Sequence, residues 1–512
     1  MIFNVQSSAR LMVTALLLVV FLSGASFAAA ASVSLSPKLG PPTTKTTATG
    51  SGFSAGETVA ITFDSATLAT ATTDGSGNFT MALTVSKSAQ PGSHAVQATG
   101  QASGLTASTT FTVQTNWPSF KNSPARTSVN AFENTINPGN ATSLSLAWQG
   151  QMGDLVDFSS PAVVNGVVYV GSFDGKLYAF NANGCAPQTL CQPLWSGATG
   201  NDITSSPAVA NGTVFIGSAD HKLYAFPAKG CGKSSCSPLW TGTTGSAILE
   251  SSPLVVNGIV YVGSFDKKFY AFAASGCGKS TCSPLWTAST GASITSSPAF
   301  ANGVVYIGSQ DGKLYAFRAS GCGAGTCSPL WTAQAGSSIV QSGPAVSNGV
   351  VYVGSFDQDL YAFNAAGCGQ STCQPLWTGN TGPFISSSPA VANGVVYVGD
   401  GDSLFYAFKA SGCGAATCSP LWTGQAIGEQ AAIISAPAVA DGLVYVSENN
   451  GMVMVFNAKG CGTSFCFPLT QLLTNNEQIV SSSPAVVNGS VYFGSADQNQ
   501  APIGRLYVYK LR

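Results

Sequence analysis

The stretch SSPAVVNGVVYVGSFDGKLYAFNANGC occupies residues 159–185, and CQPLWSGATG follows at 191–200. Its Ser-Ser-Pro-type opening returns along the chain, with the proline at Pro161, Pro207, Pro253, Pro298, Pro344, Pro389, Pro437 and Pro484, in steps of 45 to 48 residues. A period of that size marks a repeat architecture and governs every later reading. In the first copy, Ala162-Val163-Val164 is a short apolar run halted by Asn165-Gly166. That dipeptide suits a type I′ hairpin turn, which needs positive φ at both central residues. Residues 167–171 form a second run rich in β-branched and aromatic side chains, as strands prefer. Asp174-Gly175 makes another tight turn, residues 176–182 a third strand, and Pro193-Leu194-Trp195 the core of a fourth.

Four strands without a helical period make one antiparallel sheet per repeat. Val167, Val168, Tyr169 and Val170 run together, so both faces of that sheet are apolar and need cover from neighbouring repeats. Radial stacking of such sheets is a β-propeller, and eight openings predict eight blades. The last repeat supplies only three strands, at 485–487, 490–493 and 505–511. A spare strand lies upstream, Ser143-Leu144-Ser145-Leu146-Ala147-Trp148-Gln149-Gly150, which matches the Pro-Leu-Trp-Thr-Gly strand elsewhere. The expectation is that this N-terminal strand completes the last blade and leaves no open edge.

All fourteen cysteines fall in close pairs: Cys185/Cys191, Cys231/Cys236, Cys277/Cys282, Cys322/Cys327, Cys368/Cys373, Cys413/Cys418 and Cys461/Cys466. Each pair sits between the third and fourth strands of repeats one to seven. Short-range pairs across a hairpin suit disulfide geometry, and an exported chain favours oxidation. Metal binding is the rival reading. It would need two pairs to converge on one ion, whereas hairpins on separate blades are expected to point away from each other.

The chain has 512 residues and a formal net charge of −1, with charged residues at only 8%. No basic footprint for nucleic acid or an anionic membrane is present. Residues 1–30 read as a signal peptide: Arg10, an apolar run over 11–21, then small residues. Ala25 follows Leu22-Ser23-Gly24, where a lipoprotein signal would need Cys, so the expectation is a non-lipidated protein, secreted or held at the cell surface, with no transmembrane segment in the mature chain. Residues 32–114 lack cysteine and the repeat period. Short alternating runs at 59–63, 79–85, 94–98 and 108–113, separated by turns such as Asp74-Gly75-Ser76-Gly77-Asn78, predict a small β-sandwich. Through Ser36-Pro37, Gly50-Ser51-Gly52-Phe53 and Gly56-Glu57-Thr58-Val59 the segment resembles bacterial surface immunoglobulin-like domains, which implies a spacer or adhesive role. Asp74, Ser76 and Asn78 could imitate part of a calcium loop, but no closing Glu follows, and a plain turn is the reading adopted.

Residues 115–142 are read as a linker or lead-in. Together with the repeats they resemble the pyrroloquinoline-quinone-type propeller family. The likeness rests on the Val-Tyr-Val-Gly-Ser-x-Asp-Gly-Lys-Leu-Tyr-Ala-Phe run at 168–180 and its copies, and on Trp195, Trp240, Trp286, Trp331, Trp377 and Trp422 in the fourth strands. The resemblance implies an eight-bladed ring in which each Trp docks on the neighbouring blade. Repeat seven departs, with Leu469-Thr470 in place of Leu-Trp.

The family holds both quinone-dependent dehydrogenases and propellers without enzymatic role, so fold does not decide activity. The dehydrogenase reading implies a calcium site, a catalytic Asp and often vicinal cysteines. No adjacent cysteines occur here, and no position accepts those roles. Two histidines, His94 and His221, lack a nucleophile partner. Asp174, Asp220, Asp266, Asp311 and Asp357 recur in turns, where Asp caps its own backbone. Repeats six and seven are irregular there, with Asp400-Gly401-Asp402 and Glu448-Asn449-Asn450; on adjacent blades these oxygens form a candidate calcium site. The residue three before each repeat proline also varies: Phe158, Thr204, Glu250, Thr295, Gln341, Ser386, Ile434 and Ser481. With the first strand innermost, these side chains rim a central channel, and Glu250 and Gln341 become its polar features. No cofactor is expected, quinone with calcium being the alternative. The favoured function is non-catalytic binding or scaffolding, the partner an extracellular protein or a glycan. A divergent quinoprotein oxidoreductase and a carbohydrate- or wall-binding adhesin are the alternatives.

Overall fold

The protein is described from a computed structural model covering residues 30–425, 431–474, 481–497 and 503–512. The expected signal peptide lies outside these residues apart from its last position. The architecture is all-β. Among the described residues, 30–38, 45–84 and 94–111 form a unit of their own. Its three-stranded sheet orders Ser32–Ser36, Lys45–Ser51 and Phe79–Thr84, and a second sheet runs Thr106–Val113, Gly92–Gly100, Thr58–Phe63, Ala66–Thr72. Alternate residues are buried, including Leu35, Ala48, Val59, Ile61, Val96 and Phe111, the period-two pattern of sheets with one covered face. Asp74 Oδ1 accepts the backbone N–H groups of Ser76 and Asn78, so this carboxylate caps its own turn.

From Trp148 onward the chain builds four-stranded antiparallel sheets. The first comprises Ala162–Val164, Val167–Gly171, Lys176–Asn181 and Trp195–Ala198, in that order. The same order recurs in six further sheets of consecutive strands. The eighth contains Ala485–Val487, Ser490–Asp497 and Ile503–Leu511, and its fourth strand is Leu144–Gln151. Leu144 pairs with Leu511 and Gln151 with Arg505, the register shifting between Leu146 and Trp148. The Asn-Gly turns adopt the required backbone: Asn165 and Gly166 have φ of 50° and 77°.

The Ser-Ser-Pro opening performs two tasks. Its first serine accepts the N–H of the glycine that ends the second strand of the same sheet, as Ser159 does from Gly171 and Ser251 from Gly263. Its second serine links sheets. The N–H of Ser160 donates to Ser206 Oγ, that of Ser206 to Ser252 Oγ, and that of Ser252 to Ser297 Oγ. Gly343 donates to Ser388 Oγ, and Ala436 to Ser483 Oγ. Gly343 and Ala436 have no hydroxyl to accept; there Ser296 Oγ donates to the Ser342 carbonyl and Ser387 Oγ to the Ser435 carbonyl. Ser483 N–H then donates to Ser160 Oγ at 2.9 Å, so the circuit returns to its first sheet. Tyrosines make a second set of links. Tyr169 donates to the Ala228 carbonyl one sheet on, and Tyr492 of the eighth sheet donates to Ala182 of the first.

Each cysteine pair forms a disulfide with Cα atoms 5.6–5.7 Å apart. Cysteine spacing did not convey how each of these loops meets the sheet before it. The second cysteine of every pair is buried: Cys191, Cys236, Cys282, Cys327, Cys373, Cys418 and Cys466. The cause is a parallel addition to the outermost strand of the preceding sheet. There Cys191 sits opposite Gly150 of the closing strand and Cys236 opposite Gly197. Cys282 faces Gly242, Cys373 faces Ala333, Cys418 faces Gly379 and Cys466 faces Gly424. The remaining loop bridges through Thr326 to Thr287, beside Cys327. Small residues opposite let the sulfurs reach inward. Cys282 joins the apolar cluster around Trp240, Cys373 that around Trp331, Cys418 that around Trp377 and Cys466 that around Trp422. These cysteines are therefore part of the core between sheets as well as staples of their own loops.

Candidate functional site

The first strands of neighbouring sheets lie side by side, which places the Ser-Ser-Pro turns around a central axis. Residues 117–130 run across these strands. Trp117 exchanges two backbone hydrogen bonds with Val163, and the N–H groups of Val209, Phe300, Val346, Val391 and Val439 donate to the carbonyls of Pro118, Pro124, Ala125, Thr127 and Ser128. Asn130 Nδ2 donates to the Val486 carbonyl. The segment expected to be a linker therefore bonds strands of seven sheets. Two cations stand inside it. Arg126, fully buried, donates from Nε to the Pro298 carbonyl and from one terminal nitrogen to those of Pro253 and Ser252, and its other terminal nitrogen reaches the Phe120 carbonyl. Its guanidinium carbon lies 5.7 Å from the centre of the Phe120 ring. Lys121 Nζ donates to the Gly343 carbonyl at 3.1 Å. Burial brings the Arg126 group down to about 9 and holds Lys121 well below its ordinary value.

Phe120 also forms part of the lining of a small cavity of about 30 Å³ on the same axis. Phe158, Glu250, Gln341, Ser386, Ile434 and Ser481 line it together with the linking serines. Thr204 and Thr295, expected on the same rim, are instead buried, and their hydroxyls accept the N–H groups of Glu250 and Gln341. The reason is an alternation in the loops. Phe158, Glu250 and Gln341 have φ of 60°, 65° and 63°, and each is the centre of a three-residue turn. The turns are closed by the N–H groups of Ser159, Ser251 and Ser342, which donate to the carbonyls of Asp157, Leu249 and Val340. Backbone of this kind is costly and concentrates at functional sites.

The residue before each of these three centres is Asp157, Leu249 or Val340. Asp157 is the residue the sequence reading missed. Its signal was there, one acid among apolar counterparts in loops of the same shape. It is nine-tenths buried, and its Oδ1 has no hydrogen-bond partner. Glu250 Oε2 is likewise buried without a partner. Desolvation, and for Asp157 also the nearby Glu250 charge, pushes both carboxyl groups up to about 7.

The remaining candidates are spent on structure. The turn aspartates each accept a hydroxyl from the tyrosine four residues on, Asp174 from Tyr178 at 2.5 Å and Asp220 from Tyr224 at 2.6 Å. Asp400 accepts the N–H groups of Asp402, Leu404 and Gly382 and the hydroxyl of Tyr406. Glu448, fully buried, accepts from Ala431 N–H and from Asn450 Nδ2, and burial raises its carboxyl to about 7. Asn449 N–H donates to the Ala432 carbonyl. Among the described residues no three His, Cys, Asp or Glu side chains gather as they would around a metal ion. His94 Nδ1 lies 2.8 Å from Asp64 Oδ2, and His221 fills a left-handed turn position at φ 69°.

A family model described as outer membrane protein assembly factor BamB, of the pyrroloquinoline-quinone-type repeats, matches residues 47–275, 191–322, 277–370 and 366–511. The chain belongs to this family. Its fold is shared by BamB from Moraxella catarrhalis, at 17% identity and a TM-score of 0.53 over 72% of this chain and 98% of that one. The quinohemoprotein alcohol dehydrogenase from Comamonas testosteroni superposes with a TM-score of 0.60 at 13% identity, over 77% of this chain and 80% of that one. The computationally designed Ika8 protein gives 0.54 at 16% identity, over 72% and 100%. These likenesses make the repeat region of this BamB-family chain a β-propeller. No curated protein sequence matches it. Among the described residues no helix is long and apolar enough to cross a membrane.

Proposed function

We infer that this BamB-family chain is a non-catalytic, eight-bladed propeller that binds or scaffolds a partner protein, exported to the cell surface or beyond and carried on an immunoglobulin-like module at residues 32–114. The observation that carries this reading is the filled axis. Lys121 and Arg126 are committed to carbonyls inside the ring, and residues 117–130 bond its first strands. That arrangement lends a quinone with calcium no support of its own: among the described residues no three His, Cys, Asp or Glu side chains gather as they would around an ion, and all fourteen cysteines are held in disulfides rather than as a free vicinal pair. Seven disulfides suit an oxidising compartment. The assembly-factor description of the family favours a protein as the partner.

The dehydrogenase likeness keeps the quinoprotein reading as the alternative. Titrating the oxidised full-length chain with pyrroloquinoline quinone and CaCl₂, while following absorption and dye-linked alcohol oxidation, separates the two. The scaffold reading expects neither a saturable spectral shift nor turnover. A saturable shift with turnover overturns it.

A further inference from the structure

The disulfide loops cover the outer strand of every sheet but one. Sheets one to six and sheet eight each receive a pairing on that strand from the loop of the next repeat. The seventh sheet comprises Ala438–Ala440, Leu443–Glu448, Met452–Asn457 and Thr470–Leu473, and among the described residues no strand is added outside Thr470–Leu473. The loop in line to do so would belong to repeat eight, which has no cysteine pair.

The side chains around this edge change with it. Phe465, Phe467 and Leu473 are 41%, 59% and 54% exposed. Repeats two to six carry Ser or Thr in place of Phe465, and Ser or Gln in place of Phe467. At the position of Leu473, sheets one to six carry Ala198, Thr243, Ser289, Gln334, Asn380 and Gln425. Phe465 and Phe467 meet edge to face with ring centres 5.9 Å apart, and Leu469 is a further exposed apolar residue between them and Leu473. Apolar surface confined to one repeat, where its sisters are polar, points to an interaction site rather than to a demand of the fold. Leu472 stands where the other six have Gly or Ala, and it is buried in the cluster of Trp148 and Tyr509. The room that a loop cysteine uses elsewhere is thus taken from within the strand. Whatever lies alongside needs to supply only backbone and surface side chains. The Tyr509 hydroxyl donates to the Leu473 carbonyl and holds the end of the strand in place.

Four half-exposed side chains offer on the order of a few hundred Å². Each partner of a stable globular pair buries roughly 800 Å², so a second copy of this chain is poorly served by the stripe. An extended segment is well served, and the seven covered sheets show that such segments pair with this edge of the repeat. We propose that the outer edge of Thr470–Leu473, with Phe465, Phe467 and Leu469 beside it, receives an extended segment of a partner polypeptide carrying apolar side chains at alternate positions. The proposal rests on the scaffold reading and gives the partner a point of attachment. Main-chain pairing supplies affinity, and the alternate side chains that meet the stripe supply selectivity.

The test uses the oxidised full-length protein and the peptides acetyl-Ser-X-Ser-X-Ser-X-Ser-amide, with X valine, leucine or phenylalanine. The peptide with asparagine at X is the side-chain control, and the valine peptide with proline at its third and fifth positions is the backbone control. Calorimetric titration is expected to show saturable binding of at least one apolar peptide and of neither control. In hydrogen exchange that peptide should protect Thr470–Leu473 and leave the covered strand Trp422–Gln425 unchanged. Phe465→Thr with Phe467→Ser, which restores residues found in other repeats, should weaken binding about tenfold. Leu473→Gln is a second variant with the same expectation, and Leu285→Ser, at an exposed leucine of the third repeat, should leave the affinity as it was. The proposal is overturned if no apolar peptide binds, if the proline control binds equally, or if neither edge variant weakens binding. It is also overturned if the protein sediments as a dimer that Leu473→Gln dissociates, which assigns the edge to a second copy. If the peptides fail and the quinone titration is also negative, the scaffold reading stands and this edge alone falls. Quinone turnover removes the scaffold reading itself.

Discussion

Gly230 has a φ of 73°, and a Cβ placed on it would meet Trp195 Cδ1 at 2.6 Å. The same approach joins Trp148 to Gly184, Trp240 to Gly276, Trp286 to Gly321, Trp331 to Gly367, Trp377 to Gly412 and Trp422 to Gly460. Each indole docks on the glycine before the cysteine of the next sheet. The eighth sheet has no Gly-Cys loop, which accounts for Thr470 where the other fourth strands carry Trp. Gly230→Ala combines an overpacked contact with an unfavourable backbone region and should destabilise by about 2–4 kcal/mol, read from the shift in the denaturant midpoint. The axial acids give a second prediction at this scale. With carboxyl groups raised to about 7 at Asp157 and Glu250, the folded state holds more protons than the unfolded chain between roughly pH 4 and pH 7. Their contribution therefore falls as pH rises through that window, and Glu448 acts in the same direction. Melting temperature should drop between pH 5 and pH 8, and Glu250→Gln should recover on the order of 1–3 kcal/mol at pH 8 while flattening the slope. A variant as pH-sensitive as the parent would contradict this account. Glu250 was legible as a rim residue because it broke the repeat. Asp157 was harder to see, because a one-residue difference in the loop had to be recognised before its counterparts could be identified.

At the scale of the element, the disulfide loop turns out to have a second role. Seven loops were legible as staples from cysteine spacing alone. What spacing could not convey is that each loop shields the outer edge of the sheet before it and buries its second cysteine there, because that pairing joins residues some forty positions apart. Thr287 N–H donates to the Gly325 carbonyl, and Cys327 N–H returns to the Thr287 carbonyl. An exposed strand edge is a template for association, and this addition covers it. Replacing Cys322 and Cys327 together by serine should cost about 2 kcal/mol for so short a loop. In hydrogen exchange the Thr287 amide should lose protection while the Tyr261 amide, deep in the same sheet, keeps it. Equal loss at both would mean that the loop stabilises the sheet as a whole rather than its edge.

For the whole molecule, closure is the decisive feature. Leu144–Gln151 forms the last strand of the eighth sheet, and Trp148 in it docks on Gly184 of the first. Trp148→Ala should cost about 3–5 kcal/mol. Because it opens the ring at one seam, exchange should accelerate first at Val508 and Tyr507 and only later in the fourth and fifth sheets. Uniform acceleration would argue against a seam. The repeat period, the turn dipeptides and the two-faced apolar strands determined by themselves that this chain is built of four-stranded sheets that must cover one another, and the mismatch between repeat eight and residues 143–150 determined how the set closes. Those are local or periodic signals, and local physics suffices for them. The tertiary structure alone decided that residues 117–130 fill the axis, that alternate loops turn Phe158, Glu250 and Gln341 inward while Thr204 and Thr295 face away, and that Glu250 and Gln341, from the third and fifth repeats, line one cavity. Each of these depends on which parts of eight separate repeats converge on a common axis, a relation no stretch of sequence carries on its own.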